Sequence, residues 1–179
     1  MGLADKPDLV RVRFLDPVLS PGGLSDLAAP VTELADMDLS PEVVYVFENL
    51  ESVLAMPPLS GAAVVHGSGY AVDRLARIPW IRDRGVVYWG DLDSHGFGIL
   101  NRLRAQGIAV STVLMDLDTL EAFKDLWGHE PKPAVGTMQH LLPEELAVVE
   151  QLAVLGNVRL EQERIDWKTA LAALISPRS

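Results

Sequence analysis

The sequence predicts an α/β protein, with a parallel sheet and helices on both of its faces, and two observations carry that expectation. Short runs of β-branched and aromatic residues recur at 43–47, 62–65, 86–89 and 110–115. They are too uniformly apolar for a sheet with one wet face and suit strands buried on both sides. Between them lie stretches with helix starts and stops, and strands alternating with helices mark a parallel sheet.

The elements follow in order. Residues 1–41 are punctuated by Pro7, Pro17, Pro21, Gly22, Gly23, Pro30 and Pro41. Within them Val10-Arg11-Val12-Arg13-Phe14 alternates as a strand does, and the rest reads as an arm or the remnant of a preceding region. The unit proper is expected at 42–179. Val43-Val44-Tyr45-Val46-Phe47 is its first buried strand, and Asn49 to Met56 a short helix or turn stopped by Pro57-Pro58. Ala62-Ala63-Val64-Val65 runs into the turn His66-Gly67-Ser68-Gly69, and a helix over 71–76 is closed by Pro79. Val86-Val87-Tyr88-Trp89 leads straight into Gly90-Asp91-Leu92-Asp93, followed by a helix that Gly107 ends. A fourth strand spans 110–115, and Asp118-Thr119-Leu120-Glu121 caps a helix towards Trp127. Pro133 to Gly136 is a loop, and the remainder from Pro143 reads as helical, with Asp166 as the N-cap of the last helix.

Composition narrows the function classes. The 179 residues hold 15 Lys+Arg against 25 Asp+Glu, a formal net charge of −10. Such a surface taken alone repels nucleic acid and anionic lipid. The absence of cysteine removes disulfides, thiolate metal sites and a cysteine nucleophile. No apolar run is long enough to span a bilayer and no signal pattern opens the chain, so it is expected to be soluble and cytoplasmic.

Chemistry in an open parallel sheet sits beyond the carboxyl ends of its strands. Glu48 directly follows the first buried run, and Asp91 and Asp93 follow 86–89. Three carboxylates converging without an obvious lysine partner make a costly like-charge cluster, and a hard divalent cation such as Mg²⁺ is the natural remedy. A blander reading stays open. Asp93 before Ser94-His95-Gly96 can simply cap the next helix, and Glu48 can pair with an arginine. Gly90 allows close backbone approach, while Gly96 and Gly98 leave a bare helix start that attracts phosphate. The glycine turn at 66–69 lacks the lysine and spacing of a phosphate loop.

These residues also carry a family resemblance. Glu48 after one buried strand and Asp91-Leu92-Asp93 after a later one resembles the Toprim domain of topoisomerases, primases and related nucleases. The longer string Trp89-Gly90-Asp91-Leu92-Asp93-Ser94-His95-Gly96-Phe97 is similar to the acidic motif of topoisomerase VI A subunits. It is closer still to that of JetD, the nuclease family of Wadjet anti-plasmid defence systems. Further matching blocks are Arg13-Phe14-Leu15-Asp16-Pro17, Phe47-Glu48-Asn49, Gly67-Ser68-Gly69-Tyr70, Leu114-Met115-Asp116 and Leu160-Glu161-Gln162-Glu163-Arg164-Ile165.

The resemblance implies a Rossmann-like Toprim domain with a helical C-terminal region, acting as a metal-dependent endonuclease on double-stranded plasmid DNA. On it, Glu48, Asp91 and Asp93 are the catalytic and metal-binding residues, with Mg²⁺ or Mn²⁺ as cofactor. Glu48 then ligates metal or acts as general acid or base. The implied partners are condensin-like SMC, kleisin and accessory Wadjet subunits, with homodimerisation. The chain is expected to correspond to the C-terminal half of such proteins, with DNA gripped mainly by the N-terminal region and by partners.

His95 and Arg102, one heptad apart, are weaker candidates for DNA phosphate contacts, and a solvated helix face also accounts for Arg102. Glu161 and Glu163 can reach the metal, contact a partner or support a helix. Tyr45, Tyr70 and Tyr88 read as packing residues. Two other functions compete. One is an Mg²⁺-dependent phosphatase or phosphotransferase with Asp91 as nucleophile. Phosphatases of the haloacid dehalogenase type, however, place their aspartate pair after the first strand, with Thr or Val two residues beyond, where His95 stands here. The other is a non-catalytic metal-binding interaction domain.

Overall fold

In the computed structural model, which describes residues 9–67 and 69–176, the apolar run at 43–47 sits inside a six-stranded sheet. Strands β1 (Leu9–Phe14), β2 (Asp26–Pro30), β3 (Val43–Phe47), β4 (Ala62–His66), β5 (Val86–Trp89) and β6 (Val110–Thr112) take the order β2-β1-β4-β3-β5-β6. The four strands from β4 to β6 are mutually parallel, while β1 runs antiparallel to both β2 and β4. The chain lays down β3, then β4 on one side of it, then crosses to β5 and β6 on the other. The strand order therefore reverses between β3 and β5, and it is there that ligand crevices of open α/β sheets form.

The register assigns the two faces. Val12, Phe14, Ala63, Val65, Val44, Val46, Val86 and Tyr88 share one face; Arg13, Val64, Tyr45, Phe47, Val87 and Trp89 share the other. On the first face lie helix α1 (Val31–Ala35), a 3₁₀ run at Gly69–Arg77, helix α3 (Pro79–Arg82) and helix α4 (Ser94–Ala105). The Trp80 ring stands 6.3 Å from Phe14, and its Nε1 donates to the Leu34 carbonyl at 2.8 Å. The second face carries helix α2 (Leu50–Ala55), whose Val53 and Leu54 carbonyls accept from Arg13, and the last helix α7 (Trp167–Ile175). Trp167 stacks on Trp89, Trp89 meets Phe47 edge-on, and the Tyr45 hydroxyl donates to the Leu174 carbonyl at 3.2 Å. Helices cover both faces, so β3 is buried along nearly its whole length.

Two further α-helices are α5 (Leu117–Ala122) and α6 (Pro143–Val154), and a small ribbon pairs β7 (Gly128–His129) with β8 (Val158–Arg159). Among the described residues no helix is long and apolar enough to cross a membrane.

The stretch before residue 42 contributes β1, β2 and α1, with β1 hydrogen-bonded to both β2 and β4. Several local expectations are corrected. The helix expected over 71–76 is a 3₁₀ run. Its buried residues Val72 and Leu75, with Ile78 just beyond, recur every three positions, the period that a 3₁₀ helix places on one face. Pro79 opens α3 at its first turn rather than closing a helix. The fourth strand ends at Thr112, since Leu114 takes a positive φ of 56° that no strand accommodates. Helix α5 is capped by Asp116, whose Oδ1 accepts from Thr119 N at 2.7 Å, and not by Asp118. The stretch from Pro143 is interrupted where Gly156 and Asn157, with φ of 87° and 58°, reverse the chain out of α6 into β8. Ser68 and the side chain of Tyr70, both in the glycine turn, lie outside the described residues.

Candidate active site

Glu48, Asp91 and Asp93 emerge from the carboxyl ends of β3 and β5, the neighbouring strands between which the order reverses. In the pleat Glu48 follows Val46 and falls on the face of Tyr88 and Gly90. The Tyr88 hydroxyl donates a short hydrogen bond to Glu48 Oε1 and lies 3.0 Å from the Gly96 carbonyl. One phenolic proton serves two acceptors, so an ionised Glu48 takes it and a protonated Glu48 releases it to Gly96. A side chain at Gly90 has no room, because its Cβ would meet Glu48 Oε1 and the Tyr88 hydroxyl. Gly96 is needed for the same kind of reason, its Cβ falling on the Asp91 carbonyl as the first turn of α4 packs down. Burial raises Glu48 from 4.5 to about 7, against the opposing hydrogen bond from Tyr88.

Asp93 is buried and caps α4, its Oδ1 accepting from Gly96 N at 2.8 Å. Asp91 Oδ1 accepts from Gln162 N at 2.8 Å, and its Oδ2 from Arg159 Nη2 at 3.0 Å. Burial pushes both aspartates above the ordinary carboxylate range. The blander reading of Asp93 as a helix cap is therefore true of one of its oxygens. The arginine partner foreseen for Glu48 instead serves the aspartates.

That partner is Arg159. Its Nη2 contacts Asp91 and, at 3.2 Å, Glu161 Oε1, while its Nε stands 3.5 Å from Asp93 Oδ2. Burial opposes its charge, but Asp93, Glu161 and Asp91 together outweigh burial and raise its pKa. Arg159 reaches the acids because Leu160 exchanges two backbone hydrogen bonds with Leu92, at 3.0 and 3.1 Å. Leu92 lies between the two aspartates, so the strap 158–165 is laid directly across the acidic loop. Gln162 fastens its far end, accepting on Oε1 from Asn49 N at 3.1 Å, and Glu163 Oε2 accepts from Asn49 Nδ2 at 3.3 Å. Of the two strap glutamates, Glu161 thus reaches the acid cluster through Arg159 and Glu163 ties to the end of β3.

The ribbon also delivers a residue unforeseen from sequence. Glu130, 4% exposed, follows β7 and accepts from Ser94 Oγ at 2.7 Å and Ser94 N at 3.2 Å. With Asp93 on Gly96 N, two backbone donors of the first turn of α4 are already taken by carboxylates. The expected bare helix start is therefore an acid-lined one, and a phosphate there meets two negative groups. His95 stands at this turn, with Nε2 2.9 Å from the Lys132 carbonyl and 3.6 Å from Glu130 Oε1. Arg102, two turns further along α4, forms a fork on Asp73 at 3.3 and 2.9 Å. A cavity of about 520 Å³ lined by Glu42, Arg84, Val86 and Ala109 lies at the opposite, amino ends of the strands and is no part of this site.

The donor set suits a hard divalent cation in kind, being carboxylates without soft ligands. In arrangement, the two aspartates are engaged by the Arg159 guanidinium. Among the described residues no three His, Asp or Glu side chains are grouped to hold one ion, and Arg159 sits where positive charge is stabilised.

Fold and site together define a mixed α/β protein with an acidic centre at the reversal point of a mostly parallel sheet. The particular family follows from sequence comparison. The family model of the Wadjet protein JetD, C-terminal, matches residues 2–174, and the chain belongs to that family. A search of curated proteins found no match.

Sequence reasoning did not find Arg159, Glu130, Gln162 or the second role of Tyr88. Arg159 stands on a two-residue strand, too short for any periodicity to register. The block beginning at Leu160 was the available signal, and it marks the strap without saying what it covers.

Proposed function

We propose that this chain is a Toprim nuclease domain that cleaves double-stranded plasmid DNA within a Wadjet complex, using Mg²⁺ or Mn²⁺ at Glu48, Asp91 and Asp93. The observation that carries the proposal is the emergence of these three carboxylates from β3 and β5, on either side of the point where strand order reverses. Family membership supports the Wadjet setting. A divalent cation held by Glu48, Asp91 and Asp93 would supply Lewis-acid stabilisation of a phosphodiester and activation of water. The chain's own contribution is to hold the acids. Asp91 and Asp93 supply hard oxygen donors, and Asp93 is oriented by its second bond to α4. Glu48, which burial raises before any metal is bound, would serve as a further oxygen donor or as general acid or base. Tyr88 orients the Glu48 carboxyl and is itself no nucleophile, being fully buried with its pKa raised well above the usual value by burial and by Glu48.

By the same reading the partners are DNA and the condensin-like SMC, kleisin and accessory subunits, with the chain acting as a homodimer. With a net charge of −10 the chain itself is a poor DNA binder, and the grip comes mainly from elsewhere in the complex.

The test is plasmid cleavage by the protein assembled with its Wadjet partners. Glu48→Ala, Asp91→Ala and Asp93→Ala are each expected to lower cleavage by about a hundredfold or more. Asp93→Asn keeps a cap oxygen for Gly96 and is expected to be as inactive, which separates chemistry from folding. Undiminished cleavage by these variants overturns the proposal. Turnover of small phosphoesters without plasmid cleavage favours the phosphotransferase alternative instead.

A further inference from the structure

We infer that Arg159 is an internal counter-cation: it neutralises Asp91 and Asp93 when no metal is bound, and divalent metal displaces it. The inference rests on the metal-dependent reading above and deepens it. The guanidinium spans the groups that metal would use, with Asp91 Oδ2 at 3.0 Å and Asp93 Oδ2 at 3.5 Å. Two like charges held this close need a cation of some kind, and a guanidinium and a hard metal ion cannot both occupy one pair of oxygens.

The geometry also favours exchange over permanence. Arg159 Nε is buried and makes no hydrogen bond, so the guanidinium uses only part of its donor fork here. Its Nη2 already touches Glu161 Oε1 at 3.2 Å, on the strap itself. Glu161 in turn is held by Arg164 at 2.9 Å. An arginine released from the aspartates therefore has a carboxylate to turn to without leaving the strap. The strap itself need not detach, since the Leu92–Leu160 backbone pair and the Gln162 bond to Asn49 are independent of the guanidinium. Arg159 thus competes with metal for the acid pair.

The experiment follows the Arg159 Nε–H signal by ¹⁵N NMR during titration with Mg²⁺, the signal being assigned by its absence in Arg159→Lys. Displacement shifts this signal and quickens its exchange with water, in step with binding measured by calorimetry. In parallel, Arg159→Met is expected to bind Mn²⁺ about tenfold more tightly than the unaltered chain, within the usual range of site-to-site coupling. Mg²⁺ binding that leaves the Arg159 signal unmoved overturns the inference. So does equal or weaker Mn²⁺ affinity in a folded Arg159→Met variant, and both results leave the metal reading standing. Absence of metal binding in both proteins overturns the inference and the metal reading together. If Arg159→Met does not fold, the NMR titration of the unaltered chain decides alone.

Discussion

Replacing Glu48 by Gln probes the site without any partner or substrate. In the metal-free chain, burial raises this carboxyl from 4.5 to about 7. The folded protein therefore holds a proton at Glu48 that the unfolded chain has released, and stability falls as pH rises through that window. The contribution is fully present below about 4.5 and lost above about 7. The gap between the two values corresponds to about 3 kcal/mol, and the part of the side chain still open to water trims this to about 2 kcal/mol. The amide that replaces the carboxyl cannot ionise but keeps an oxygen to accept from Tyr88. Glu48→Gln is therefore expected to gain on the unaltered chain by about 2 kcal/mol between pH 5 and pH 8. The assay is urea unfolding with EDTA present at several pH values across that range. Comparing the two proteins at each pH removes most of the contribution from Asp91 and Asp93, which burial also raises. A stability difference that stays constant from pH 5 to pH 8 refutes the argument that Glu48 is a buried, desolvated acid.

Two further substitutions test the packing around that carboxyl. Gly90→Ala places a Cβ on Glu48 Oε1 and the Tyr88 hydroxyl, and is expected to cost about 1–3 kcal/mol in urea unfolding; an unchanged midpoint shows that Glu48 does not pack over Gly90. Tyr88→Phe removes a donor that favours the ionised form, so the Glu48 carboxyl is expected to titrate higher than in the unaltered chain by ¹³C NMR in EDTA. A titration at the same pH or lower contradicts the hydrogen bond assigned to Tyr88.

The parts of this fold legible in sequence are those that make themselves known locally. The parallel strands announce themselves because burial on both faces demands the unbroken apolar runs of β3, β4 and β5. Glu48, Asp91 and Asp93 are legible because the strand ends are, and Asp166 because its cap bond spans three residues. What stays hidden is set by contacts across long sequence separations. Arg159 meets Asp91 over 68 residues, and the donor on Gln162 reaches the same carboxylate over 71. Nothing near Val158 distinguishes that arginine from a solvated one. Tyr88 hides differently: it is a core residue by every local measure, and only the register of β5 beside β3 puts its hydroxyl against Glu48. The net charge of −10 gains meaning from this, since several of those acids are clustered around one guanidinium.

The most direct test of the central claim is anomalous diffraction from a crystal of the chain soaked in Mn²⁺. A peak is expected among Glu48, Asp91 and Asp93, with the Arg159 guanidinium moved off the two aspartates. Mn²⁺ bound elsewhere, or Arg159 still seated on Asp91 and Asp93 with no peak between them at saturating metal, contradicts it.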